Sequence, residues 1–124
     1  TSAVSAGGWQ SAAGLPAQPL KGQLPVSGLF DLAPLAASHV NDWMQFTPEE
    51  VQALSPLRNL PAGPLPAVVA LAERETPGFH RQSAAYGRAV GAPVLTVPER
   101  NHFDVALDLT DPETELSKAL LDLF

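Results

Sequence analysis

The sequence predicts an α/β fold in which parallel strands are flanked by helices. Two observations carry that expectation. Short apolar runs with strand character alternate along the chain with segments of helical spacing. One of those runs, residues 66–72 (Pro-Ala-Val-Val-Ala-Leu-Ala), is apolar on both faces, as a strand covered by helices on two sides must be. The length of 124 residues, 45% of them hydrophobic, suits a single domain with a packed core.

The elements follow in order. Residues 4–13 open with small side chains and predict a short helix ending near Gly14-Leu15-Pro16. Pro16 and Pro19 then force a loop. Residues 23–28 are the first strand, although Pro25 lacks the N–H that a central strand needs. Residues 29–64 read as an irregular, cap-like insertion with one well-signalled helix. Thr47 caps it, Pro48 takes its first position and Glu50 completes a capping box, so the helix runs to about Leu54. After the strand at 66–72, Thr76-Pro77 begins a helix that closes near Gly91. Phe79, Ser83, Tyr86 and Val90 share one face of it. Residues 94–97 are a further strand. A last helix is expected from Thr110 or Asp111 as cap, with Pro112 and Glu113 in its first turn. Its apolar stripe is Leu116, Leu120 and Leu121, finished by Leu123 and Phe124.

Composition excludes several classes of function. Seven Lys+Arg against 13 Asp+Glu give a net charge of −6. Nucleic-acid binding needs a basic surface that releases counterions, so no nucleic-acid partner is expected. With no cysteine there is no disulfide, thiolate metal site or cysteine nucleophile. No apolar run approaches the ~20 residues that span a bilayer. The first residues lack the basic start and apolar core of a secretion signal, so a cytoplasmic location is expected.

Three positions have chemistry in them. Ser5 lies in Ala3-Val4-Ser5-Ala6-Gly7, a run of small residues suited to a sharp strand-to-helix turn. Such a turn exposes a nucleophilic hydroxyl and aims helix N–H groups at a developing oxyanion. Ala3 stands where glycine is usual, and a small-residue linker is the other reading. Glu75 follows the strand at 66–72, at the end where parallel α/β sheets collect functional groups. A carboxylate there can orient a histidine. It can equally be a helix-start carboxylate favoured by the dipole, and Glu73 competes for the same role. His102 follows the strand at 94–97 in Arg100-Asn101-His102-Phe103-Asp104. A loop histidine is often merely solvated; His39 and His80 receive that reading. The order serine, acid, histidine is the one that α/β-hydrolases use.

The blocks Ser5-Ala6-Gly7-Gly8, Val26-Ser27-Gly28-Leu29-Phe30-Asp31-Leu32, Ser55-Pro56-Leu57, Glu75-Thr76-Pro77-Gly78-Phe79-His80-Arg81-Gln82-Ser83 and Asn101-His102-Phe103 are collinear. Through them the chain resembles the C-terminal half of an α/β-hydrolase of the kynurenine formamidase (arylformamidase) and esterase group. The resemblance implies Ser5 as nucleophile, Glu75 as acid and His102 as general base. It implies Ala6 and Gly7 in the oxyanion turn, and Ser27 and Phe30 near the substrate pocket. The implied substrate is a small-molecule formamide, such as N-formylkynurenine, or a carboxylic ester, with no metal or organic cofactor. Three departures stand beside Ala3. The segment between Ser5 and the first strand is short for the family, which implies a truncated elbow helix. There is no His-Gly-Gly-type segment to give a second oxyanion donor, and the strands expected upstream of the elbow are absent. The rest of the domain would then lie on another chain, the sequence would be a fragment, or a second copy would complete the sheet. A non-catalytic remnant that keeps the packing as an assembly piece is the alternative function. A small acidic binding domain of unrelated α/β fold is a third.

Overall fold

A computed structural model describes residues 8–16 and 19–124. Ser5, Ala6 and Gly7, and with them the expected nucleophile turn, lie outside the described residues.

Two strands, β1 (Val69–Ala72) and β2 (Val94–Val97), pair in parallel, with Val69 opposite Val94 and Ala72 opposite Val97. Residues 23–26 run along the other edge of β1. They touch it as two separate parallel bridges, Gln23 with Ala67 and Val26 with Ala70. The expected strand over 23–28 is therefore interrupted, and Pro25 is the reason. Its carbonyl accepts from Ala70 N, and its neighbours Gln23 and Ser27 donate to Pro66 O and Ala70 O. The N–H that should fill the gap between them does not exist.

The helices are α1 (Trp9–Ala12), α2 (Ala33–Ala36), α3 (Asn41–Met44), α4 (Pro48–Leu54), α5 (Pro77–Val90) and α6 (Glu115–Leu121). Pro56–Arg58 and Val105–Thr110 are 3₁₀ turns. The α4 capping box is present as read: Glu50 N donates to Thr47 Oγ1 and Thr47 N to Glu50 Oε2. The α5 helix starts at Pro77 and stops at Gly91, whose φ of 70° few other residues adopt without strain. Segment 29–64, expected to hold one helix, also carries α2, α3 and a 3₁₀ turn.

The last helix departs from expectation. Its cap is Thr114, whose hydroxyl accepts from Ser117 N. The proposed cap Thr110 instead ends the preceding 3₁₀ turn and donates to Leu107 O. Leu116 is fully buried, but Leu121 lies roughly 140° round the helix from it and is 62% exposed. Phe124 is exposed as well.

Side chains alternate across β1 and build one apolar cluster on each face. Val69 packs with Phe30 and Tyr86 beneath α5. Ala70 and Ala72 pack with Val97, Val105 and Leu116 on the opposite side. The doubly apolar sequence of this strand is thus explained by its two covered faces. Phe30 and Tyr86 stack with centroids 4.2 Å apart and planes within 6°.

Gly87 lets α5 approach the sheet. A Cβ there would lie 2.8 Å from Val94 Cγ2 and 3.0 Å from Ala92 O. Alanine would gain about 1 kcal/mol of helix propensity, but the obstacle is a stiff β-branched side chain and a backbone carbonyl. Overpacking of this kind costs about 1–3 kcal/mol, so Gly87→Ala is expected to lower the melting temperature. A thermal melt followed by circular dichroism reads this directly.

Candidate functional site

The C-terminal ends of the parallel segments lie together. Ser27 follows Val26, Glu75 follows β1 by three residues, and His102 follows β2 by five. At this edge the backbone bonds of the sheet are exhausted, so side chains and loops complete the structure.

The loops after β1 and β2 are stitched to each other. Glu73 N donates to Val97 O at 2.9 Å, and Arg74 N to Arg100 O at 2.9 Å. Glu73 Oε2 accepts from Glu99 N at 2.8 Å. Glu99 has a φ of 60°, a left-handed conformation that costs a non-glycine residue roughly 1–2 kcal/mol. The neighbouring bond and the turn geometry oppose that cost.

Within this frame Glu75 and His102 meet. Glu75 Oε1 lies 2.7 Å from His102 Nδ1. The carboxylate is fully buried and the imidazole side chain is 46% exposed. A carboxylate only accepts, so Nδ1 carries the hydrogen of this bond. The competition between two acids is thereby resolved in the geometry: Glu75 faces the histidine, and Glu73 serves the Glu99 backbone. Phe79, on the first turn of α5, packs on the imidazole at 4.9 Å between centroids, and Phe103 meets it edge-on at 5.6 Å. Phe103 is 90% exposed.

The loop that holds His102 has its own bonds. Asn101 N and Nδ2 donate to the two oxygens of Asp104, at 2.7 and 2.8 Å. Asn101 Oδ1 accepts from Phe103 N at 2.8 Å. In the sequence Asn101 and Asp104 both stand in the run around His102 with no role of their own. An Asn and an Asp three apart around a histidine is a turn signal that was available.

The segment after residues 23–26 is fixed from α5. Gln82 Oε1 accepts from Phe30 N at 2.6 Å and Asp31 N at 2.8 Å. Ser55 Oγ accepts from Leu32 N and donates to Val51 O. Ser27 has a φ of 51° and a buried hydroxyl with no hydrogen-bond partner among the described residues. Glu75 Oε2 is in the same condition. Phe30, expected beside the pocket, has its ring fully buried on Tyr86, and Gly28 lies so close beneath that ring that a Cβ would overlap it. Trp43, in segment 29–64, is 71% exposed. His80 Nε2 lies 3.2 Å from Glu73 O, a structural contact.

Among the described residues no group of three or more His, Asp or Glu is placed to hold a metal ion. No helix among them is long and apolar enough to cross a membrane.

Comparison with known proteins bears on this arrangement. The chain is 32% identical over 115 residues to a kynurenine formamidase of Salmo salar, covering 84% of this chain and 39% of that protein. This chain resembles the kynurenine formamidases. A kynurenine formamidase of Danio rerio matches at 32% over 114 residues, with the same shares. The chain therefore spans 39% of the length of these curated relatives. A crystal structure of a candidate thioesterase from Silicibacter sp. superposes with a TM-score of 0.70 at 28% identity, over 79% of this chain and 37% of that one. No protein-family model matches the chain. Together the relatives and the structural neighbour support a hydrolase family, and the α/β architecture agrees with a part of such a fold.

Proposed function

We propose that this chain carries the reacting groups of a serine hydrolase of α/β-hydrolase type, acting on a formamide or carboxylic ester. The observation that supports it is the 2.7 Å bond between a fully buried Glu75 and His102 at the C-terminal edge of a parallel sheet. A buried acid on one imidazole nitrogen fixes the tautomer and leaves the other nitrogen basic. The kynurenine formamidase likeness covers both residues' segments and favours the formamide substrate.

In this reading Ser5 Oγ attacks the substrate carbonyl carbon and His102 Nε2 takes its proton. The Ala6 N–H, in the turn with Gly7, holds the oxyanion of the tetrahedral intermediate. The carbon–nitrogen or carbon–oxygen bond then breaks, and the leaving amine or alcohol takes the proton back from His102. Water, deprotonated by His102, attacks the acyl-enzyme, and Ser5 is released with formate or a carboxylate. Glu75 stabilises the imidazolium in both halves. Ser27 lies at the same sheet edge, and Phe30 contributes through its backbone and the packing of its ring. No metal or organic cofactor enters these steps.

The test compares N-formylkynurenine with p-nitrophenyl acetate. Hydrolysis of the formamide at the higher kcat/KM supports the formamidase reading. Hydrolysis of the acetate alone supports an esterase. Cleavage of neither by a folded sample favours the non-catalytic assembly piece.

A further inference from the structure

We propose that Asp104 and Asn101 are positioning residues for His102, forming a closed box that sets where the imidazole stands. The proposal deepens the hydrolase reading and rests on it for its kinetic consequence. His102 is flanked on both sides by residues bonded to each other. Asp104 spends both carboxylate oxygens on Asn101, one on its backbone N–H and one on its side-chain amide. Asn101 in turn accepts from Phe103 N through Oδ1, while its own carbonyl accepts from Val105 N at 3.1 Å and, at 3.3 Å, from Asp104 N. Asn101, Phe103, Asp104 and Val105 are thus cross-linked around the histidine, by bonds in which His102 takes no part.

A loop needs this when its histidine is half exposed and must stay within reach of a buried acid. The Glu75 carboxylate cannot follow a displaced ring, because it is enclosed. The position of the ring is therefore decided by its backbone. Bonds to an ionised acceptor are roughly twice as strong as neutral ones, so Asp104 is the strongest tie in the box. Asn101 is the piece it grips, and its amide supplies one donor and one acceptor at once, which no carboxylate does.

The experiment uses Asp104→Ala, Asp104→Asn and Asn101→Ala. Two readouts are taken: steady-state kinetics on both substrates above, and the low-field proton resonance of the His102 Nδ1–H on Glu75. Misplacement of a reacting group by about 1 Å costs up to about 10²-fold in rate. Asp104→Ala is expected to lower kcat by about 10–100-fold with KM nearly unchanged, and to lose or broaden the low-field resonance. Asp104→Asn keeps one acceptor but turns a donor toward the other Asn101 N–H, so it should recover only part of both. Asn101→Ala gives the same loss and serves if Asp104→Ala does not fold.

Wild-type kcat together with an intact resonance in both alanine variants would overturn the proposal. The resonance separates this idea from the hydrolase reading. If wild type shows it, the alanine variants lose it and none of the proteins hydrolyses either substrate, the positioning box stands and the catalytic reading falls.

Discussion

Replacing Glu75 with Gln is expected to lower kcat by about 10²–10⁴-fold, with smaller effects on KM. The substitution keeps the size and shape of a fully buried side chain while replacing its charged carboxylate with a neutral amide. Two things are lost. The imidazolium that forms when His102 takes a proton no longer has a counter-charge at 2.7 Å. The amide also presents a donor as readily as an acceptor, so it selects the wrong tautomer of the ring. Glu73→Gln is the internal control. Its carboxylate serves the Glu99 N–H, and the amide oxygen still accepts there, so kcat should stay near the wild-type value. His102→Gln should be at least as damaging as Glu75→Gln, and it leaves a donor for the buried acid. Steady-state rates on p-nitrophenyl acetate and N-formylkynurenine, beside a melting curve for each variant, give the comparison. Equal losses in the Glu73 and Glu75 variants would contradict the assignment of the acid.

Phe30→Ala is expected to destabilise the protein by about 3–5 kcal/mol. The ring is completely buried, stacks on Tyr86 and closes the cluster with Val69. Its backbone is anchored too: Phe30 N donates to Gln82, and Phe30 O accepts from Leu57 N at 2.8 Å. The surroundings therefore cannot collapse into the space, which is the condition for a large cavity cost. Domains of this kind are stable by only about 5–15 kcal/mol in all. Urea unfolding should show a much lower midpoint with an unchanged slope. A loss below about 1 kcal/mol would mean that the ring is not the keystone of that face. The Gly28 backbone lies directly beneath the ring, so the loop carrying Ser27 should loosen in the same variant.

Much of this was legible in the residues, for identifiable reasons. The α4 helix announced itself through Thr47, Pro48 and Glu50, because a capping box is local and depends on nothing distant. The α5 helix was bracketed by Pro77 and Gly91, each of which excludes its alternatives. The β2 strand was read with its observed ends, Val94–Val97. The pairing of an acid after β1 with a histidine after β2 followed from where parallel sheets leave their strand ends. The choice of Glu75 over Glu73 came from the family resemblance, because it depends on which way a three-residue loop turns.

What was not legible depended on tertiary partners. The four-residue helices α2 and α3 have too few internal bonds to signal themselves. The end of α3 is held by Phe46 N donating to Asn41 Oδ1. The start of the last helix was misplaced because Thr110, Asp111 and Thr114 all suit a cap. The tie that decides reaches back past the turn before the helix: Thr114 Oγ1 and Ser117 Oγ both donate to Asp108 O, six and nine residues upstream. Phe30 was placed near the pocket by resemblance, and nothing local reveals that its ring stacks on Tyr86.

The central claim is that Ser5, His102 and Glu75 act as one unit, and covalent labelling tests it most directly. The protein is treated with a fluorophosphonate, digested, and the adduct is mapped by mass spectrometry in wild type and in His102→Gln. The account predicts a single adduct on Ser5 that forms quickly in wild type and at least ~10²-fold more slowly without the histidine. A folded wild-type sample that takes no label, or labels Ser5 at the same rate in His102→Gln, would contradict it.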